Sequence, residues 1–196
     1  MLVGILAAQG AYKKHKEILD LIEINSIFVK DSEDLSCCDA LIIPGGESTA
    51  IYNFINSNEM FDSIKKFSTS SHVFGTCAGM ILMSCNKPTD LLKPLELIDF
   101  KVDRNAYGSQ LDSFIVSIDV SFDSNQFTGV FIRAPKVTEY SNDIDVLAYY
   151  KDYPVLIRKD KFLACSFHPE LTNDFRIHKY FIDMVNNANW YIKKDK

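Results

Sequence analysis

Along the first ninety residues, short apolar runs alternate with segments whose apolar positions recur at helical spacing. Residues 2–6 form an apolar run closed by Gln9-Gly10, the pattern of a strand buried on both faces. Over residues 12–24, Ile18, Leu19, Leu21 and Ile22 fall at helical spacing, while Lys13, Lys14, Lys16 and Glu23 fill the other face. Residues 26–30 predict a second strand, residues 35–38 a helical turn, and residues 40–43 a third strand stopped by Pro44-Gly45-Gly46. Helices are predicted over 49–56 and 58–67, a fourth strand over 72–74 cut off by Gly75, and a further helix over 78–84. Strands alternating with helices argue for parallel βαβ units. Ligands in such sheets gather beyond the carboxyl ends of the strands, where both glycine-rich turns fall.

The second half reads differently. Residues 113–120 alternate as a strand, and 129–132, 146–150, 154–158 and 162–166 follow as short strands with turn residues between them. This pattern predicts an antiparallel extension of the sheet. Residues 174–189 close the chain as a helix with Phe175, Ile177, Tyr180, Phe181, Met184 and Val185 apolar. No repeat, low-complexity stretch or linker interrupts the chain, so residues 1–196 are expected to form a single domain.

Composition narrows the setting. The chain carries 21 basic and 26 acidic side chains, a net charge of −5, with 47% hydrophobic residues. That is ordinary globular composition and leaves no electrostatic footprint for nucleic acid. Five cysteines occur, with no CxxC pair and no Cys/His ligand cluster, so neither zinc nor a disulfide framework is expected. The opening MLVGILAAQG lacks a charged leader and a cleavage site, and no apolar run approaches ~20 residues. A reducing, cytoplasmic protein with no membrane contact is the expectation.

The segment Gly75-Thr76-Cys77-Ala78-Gly79 lies between a predicted strand and a predicted helix. It has the layout of a nucleophile elbow with sulfur in place of oxygen. The glycines permit a sharp turn, Cys77 projects at the helix start, and the Ala78 amide is placed to donate to an oxyanion. A thiol nucleophile needs a base. Of His15, His72, His168 and His178, only His168 follows a strand on the same edge, and Glu170 stands two residues on. A carboxylate there can hold one ring nitrogen and present the other to Cys77, which makes a Cys77-His168-Glu170 triad. His15 is expected on the solvated face of its helix. The turn Pro44-Gly45-Gly46-Glu47-Ser48-Thr49 offers either backbone amides converging on an anion or a plain loop capped by Ser48 or Thr49. Arg104 and Arg133 each offer a guanidinium fork suited to a carboxylate. Cys37, Cys38, Cys85 and Cys165 read as buried or incidental.

Six blocks then match a known family in order: GILAAQGA (4–11), PGGEST (44–49), GTCAG (75–79), RNAYG (104–108), FIRAP (131–135) and FHPELT (167–172). The chain resembles the glutaminase subunits of pyridoxal 5′-phosphate synthase, which are class I, triad-type glutamine amidotransferases. The resemblance implies a flavodoxin-like α/β fold, a three-layer sandwich with a mostly parallel central sheet and an antiparallel extension. It implies hydrolysis of L-glutamine to L-glutamate and ammonia, with Cys77 attacking the carboxamide, His168 as base and then acid, and Glu170 orienting it. Gly46, Glu47 and Ser48 would bind the glutamine backbone, Gly46 and Ala78 would form the oxyanion hole, and Arg104, Ile132 and Arg133 would complete the pocket. No cofactor and no metal are implied. The partner would be a (β/α)8-barrel synthase subunit in a large ring hetero-oligomer, with the Gln9-Gly10 segment facing it. Ala8, Met80 and Ser109 depart from the commoner pattern. The competing readings are a free-standing thiol hydrolase and a non-catalytic scaffold subunit.

Overall fold

Four strand–helix repeats open the chain in the computed structural model, which describes residues 1–104 and 113–194. β1 (Val3–Leu6) leads to α1 (Tyr12–Leu21), and β2 (Ser26–Val29) to α2 (Ser32–Ser36). β3 (Ala40–Ile43) leads to α3 (Ser48–Ser57) and α4 (Met60–Phe67), and β4 (His72–Thr76) to α5 (Ala78–Met83). Then come β5 (Phe100–Asp103), β6 (Ser113–Val120), β7 (Asp123–Ile132), β8 (Lys136–Tyr140), β9 (Asp145–Tyr150), β10 (Tyr153–Lys159) and β11 (Phe162–Cys165). A 3-10 turn (Pro169–Leu171) and α6 (Arg176–Lys194) finish the described chain, so the last helix runs further than the pattern predicts.

Nine strands form one sheet in the order β2-β1-β3-β4-β11-β10-β9-β6-β7. The first five are mutually parallel, and the remaining pairings are antiparallel. β11, expected among the antiparallel strands, pairs in parallel with β4, with Leu163 opposite Phe74 and Cys165 opposite Thr76. The carboxyl ends of β4 and β11 therefore share one edge. That register places the chain after Cys165 beside the chain after Thr76.

The period-two alternation of the strands divides the core between two layers of helix. Leu6, Leu41, Ile43 and Val73 pack with α2, α3, α4 and α5 on one face. Val3, Ile5, Ala40, Ile42 and Phe74 pack with Leu19 of α1 and with Ile177, Phe181 and Val185 of α6 on the other. Each of the valine, leucine, isoleucine and phenylalanine side chains among them contributes roughly 1.5–3 kcal/mol by leaving water. β5 and β8 pair as a separate two-stranded sheet that the hydrophobic pattern does not predict. Four of their nine residues are charged, and only Phe100, Val102 and Val137 are buried, so the apolar signal is thin. This small sheet delivers Arg104, the residue after β5, toward the edge of the main one.

Candidate active site

Cys77 caps α5 with φ 48° and ψ −102°, a conformation that a side-chain-bearing residue adopts only when its surroundings impose it. The surroundings are specific. The Cys77 amide donates to the Cys165 carbonyl at 2.8 Å, which pins the turn to β11. Gly79, in α5, packs against the end of β3, where an added Cβ would meet the Ile43 carbonyl oxygen at 2.1 Å. A Cβ on Gly75 would meet the Gly79 carbonyl carbon at 2.7 Å. The spacing of glycines around Cys77 is thus what lets the helix start hard against the sheet. Ala78 opens α5, so its amide stands outside the helical ladder. The Cys77 Sγ is 3.8 Å from the Ile132 carbonyl at the end of β7.

His168 follows β11 and is anchored by its amide, which donates to the Val130 carbonyl at 2.8 Å. Pro169 starts the 3-10 turn and brings Glu170 back under the ring. His168 Nδ1 donates to Glu170 Oε1 at 2.7 Å, and His168 and Cys77 line the same cleft. Both His168 and Glu170 are buried. Burial pushes the His168 imidazolium down, but the bonds to Cys77 and Glu170 outweigh it, and its pKa is pushed up to about 10. Burial pushes the Glu170 carboxyl up, and the facing imidazoles of His15 and His168 overcome this and hold it below the usual carboxylate range.

A cleft of about 420 Å³ opens over Cys77 and His168. Gly46, Glu47, Ser48, Arg104, Ile132 and Arg133 all line it, together with Gln9 and Leu171. Glu170 stands behind His168 and Ala78 beneath Cys77, and neither reaches the wall. Arg104 Nη2 donates to Ser48 Oγ at 2.7 Å and lies 3.8 Å from Glu47 Oε1. Arg133 takes a positive φ of 47°. The cap of α3 is neither Ser48 nor Thr49. Glu47 caps it, accepting from the amides of Thr49 at 3.0 Å and Ala50 at 2.7 Å. The Glu47 amide in turn donates to Gln9 Oε1 at 3.2 Å, which ties the β1–α1 loop to this turn. Asn105 to Gly108 and Ser109 lie outside the described residues.

The expectation for His15 is overturned. It is fully buried, with Nδ1 2.9 Å from His178 Nε2, Nε2 3.2 Å from Thr76 Oγ1, and the same Nε2 3.5 Å from Glu170 Oε2. The signal was present in the spacing, because His15 precedes Ile18 by three and Leu19 by four and so shares their face. His178 likewise stands three before Phe181 on the buried face of α6. Burial pushes both imidazoles below 6.5. Cys165 is fully buried on β11, and desolvation raises its thiol well above the ordinary range, which removes it from the chemistry. Among the described residues no group of histidine, cysteine and acidic side chains stands together as a metal site, and no helix is long and apolar enough to cross a membrane.

Residues 5–187 match the model of the SNO glutamine amidotransferase family. A relative from Francisella tularensis subsp. novicida, named pyridoxal 5′-phosphate synthase subunit PdxT, is 46% identical over 182 residues, which is 93% of this chain and 98% of that protein. A solved structure described as a glutamine amidotransferase is similar with a TM-score of 0.86 at 40% identity, covering 94% of this chain and 98% of its own. A putative GMP synthase protein from Thermoplasma acidophilum shares the fold with a TM-score of 0.68 at 14% identity, covering 100% of this chain and 97% of its own.

Proposed function

The chain belongs to the SNO glutamine amidotransferase family, and from that premise we propose that its 196 residues act as one glutaminase domain built on Cys77, His168 and Glu170. It is an enzyme, the glutaminase subunit of a pyridoxal 5′-phosphate synthase, and it hydrolyses L-glutamine to L-glutamate and ammonia. The observation that carries the assignment of residues is the line from Cys77 through His168 to Glu170 at the floor of the cleft.

The chemistry follows from that line. Cys77 is the proposed nucleophile and His168 its base: the Sγ proton passes to His168 Nε2 as the sulfur attacks, which leaves the imidazolium that Glu170 holds at Nδ1. Sγ bonds to the carboxamide carbon of glutamine, and the carbonyl electron pair moves onto oxygen. The amides of Gly46 and Ala78 are the donors proposed for that oxyanion. His168 gives its Nε2 proton to the leaving nitrogen, the C–N bond breaks, and ammonia departs from a thioester. Neutral His168 then takes a proton from water as hydroxide attacks the thioester, the C–S bond breaks, the sulfur takes the proton back from His168, and the new γ-carboxyl releases its own proton to solvent as glutamate leaves. Glu170 keeps Nδ1 protonated throughout, so that Nε2 alone shuttles the proton. Arg104 and Arg133 are proposed to hold the α-carboxylate of glutamine, with Gly46, Glu47, Ser48 and Ile132 supplying backbone contacts.

The ammonia is proposed to pass to a (β/α)8-barrel synthase subunit in a ring-shaped hetero-oligomer that docks near Gln9-Gly10. A reducing, cytoplasmic setting belongs to the same proposal. The test is to purify the chain together with its synthase partner and supply glutamine labelled with nitrogen-15 in the amide. Label is expected in the pyridine ring nitrogen of the product even against excess unlabelled ammonium. Product carrying only unlabelled nitrogen under those conditions would sink the delivery reading.

A further inference from the structure

The line from Cys77 does not stop at the Glu170 carboxylate. Oε1 of Glu170 serves His168, while Oε2 is buried with no hydrogen-bond partner of good geometry among the described residues. Facing Oε2 at 3.5 Å is Nε2 of His15, which also lies 3.2 Å from Thr76 Oγ1. Behind it, His15 Nδ1 and His178 Nε2 are 2.9 Å apart, and His178 Nδ1 has no partner among the described residues.

Two ring nitrogens this close need one proton between them. There are two ways to supply it with both rings neutral. If His178 donates from Nε2, His15 Nδ1 is bare, and the His15 proton sits on Nε2 facing Glu170 and Thr76. The atom left over is then the bare Nδ1 of His178, an acceptor. If His15 donates from Nδ1 instead, its bare Nε2 sets a lone pair against the carboxylate, and His178 buries an N–H with nothing to receive it. The second arrangement places like partial charges together and orphans a donor, so the first is favoured.

We infer that His15 is a positioning residue of the glutaminase site. As the Nε2–H tautomer imposed by His178, it holds the second oxygen of Glu170, and so fixes the carboxylate that orients His168. The inference rests on the Cys77-His168-Glu170 reading above and extends it by two residues. The Nε2 hydrogen bond itself goes to Thr76 Oγ1 at 3.2 Å, and at 3.5 Å the contact with Glu170 Oε2 is a dipole beside a charge rather than a hydrogen bond. Burial strengthens such a contact, because no water competes for the carboxylate. Both histidines are kept neutral by the same burial, so they orient the carboxylate without drawing its charge away from His168.

The test compares the parent, His15→Leu, His15→Gln and Cys77→Ala, each assayed for glutamine turnover in complex with the synthase subunit. Leucine fills the space without a donor, whereas a glutamine side chain can present an amide N–H where Nε2 stands. His15→Leu is expected to lower kcat roughly ten- to a hundredfold, the usual range for a group that orients a reacting side chain. KM for glutamine should stay within about twofold, because no substrate contact is lost. His15→Gln should recover most of the loss. Nitrogen-15 NMR of the parent should show His15 and His178 both protonated on Nε2. Turnover by His15→Leu within twofold of the parent, equal damage in the Leu and Gln variants, or a proton on His15 Nδ1 would each overturn the inference. If His15→Leu does not fold, the Gln variant and the NMR still decide. Cys77→Ala separates the two claims. If it turns glutamine over, the triad fails and this inference with it. If it is inert while His15→Leu matches the parent, the triad stands and His15 has no positioning role.

Discussion

Gly45 presses against the ring of His168: a Cβ built on Gly45 would stand 2.3 Å from His168 Cε1 and 3.3 Å from the Cβ of Cys77. The His168 ring is thus fixed from two sides, by the Glu170 carboxylate at Nδ1 and by bare backbone at Cε1. The same turn touches the β1–α1 loop, since the Gly45 carbonyl accepts from the Ala11 amide at 3.0 Å. A single glycine therefore couples the position of the His168 ring to the β1–α1 loop.

Gly45→Ala is expected to displace His168 and lower kcat by on the order of 10²-fold, because misplacing a reacting group by an ångström costs about that much. Overpacking should also lower stability by about 1–3 kcal/mol. Steady-state glutaminase kinetics and a denaturant melt on the same preparation check both. Parental kinetics would show that the ring has room to move.

Glu170→Gln keeps the shape of the side chain and removes its charge. The His168 imidazolium loses one of the partners that holds its pKa up, and its tautomer is no longer dictated. A fall in kcat of roughly 10²–10⁴ is expected, with KM for glutamine little changed. A drop confined to KM would place Glu170 in substrate binding instead.

Arg104 reaches the cleft from the small β5–β8 sheet and donates to Ser48. Arg104→Ala should raise KM for glutamine at least tenfold, about 1.4 kcal/mol of lost binding, and change kcat much less. Initial rates across a glutamine series measure this. An unchanged KM would remove Arg104 from the pocket.

Stability should fall on both sides of neutrality, for different reasons. His15 and His178 have folded pKa values below 6.5, so as pH drops through 6.5 the unfolded chain takes up protons that the folded chain refuses. Each costs up to about 1.4 kcal/mol per pH unit. Glu170, held low in the fold, adds to the loss as pH falls through its folded value. His168 runs the other way: its contribution is full below 6.5 and is lost as pH rises from there through about 10. Thermal melts from pH 5 to 10 should therefore show a maximum near neutrality. His178→Leu should flatten the acid limb and leave the alkaline limb alone. An acid limb as steep as the parent's would contradict a neutral buried His178.

Most of the parallel half was legible because it is written in strong local signals. Apolar runs ended by glycine marked β1, β3 and β4, and residues 40–43 and 113–120 match β3 and β6 to the residue. The elbow was legible for the same reason, since glycines flank a single cysteine between a strand and a helix. What escaped was long-range. Nothing local tells that β11 pairs in parallel with β4, a contact between residues about ninety apart in the chain. β5 and β8 bury too few side chains to show a pattern. His15 reads as solvent-facing because its polarity outweighs its spacing. Its partners, Thr76, Glu170 and His178, are brought to it only by the folded sheet and α6. The α3 cap went to Glu47 because its longer side chain bends back to two amides at once.

The most direct test of the whole account is ammonia release from amide-labelled glutamine by Cys77→Ala, once the variant is assembled with its synthase partner and shown to keep the parental melting profile. Cys77 is proposed to supply the sulfur that bonds to the carboxamide carbon, and among the described residues no other thiol lines the cleft. The account predicts no labelled ammonia above the uncatalysed background. Release at or near the parental rate would contradict it.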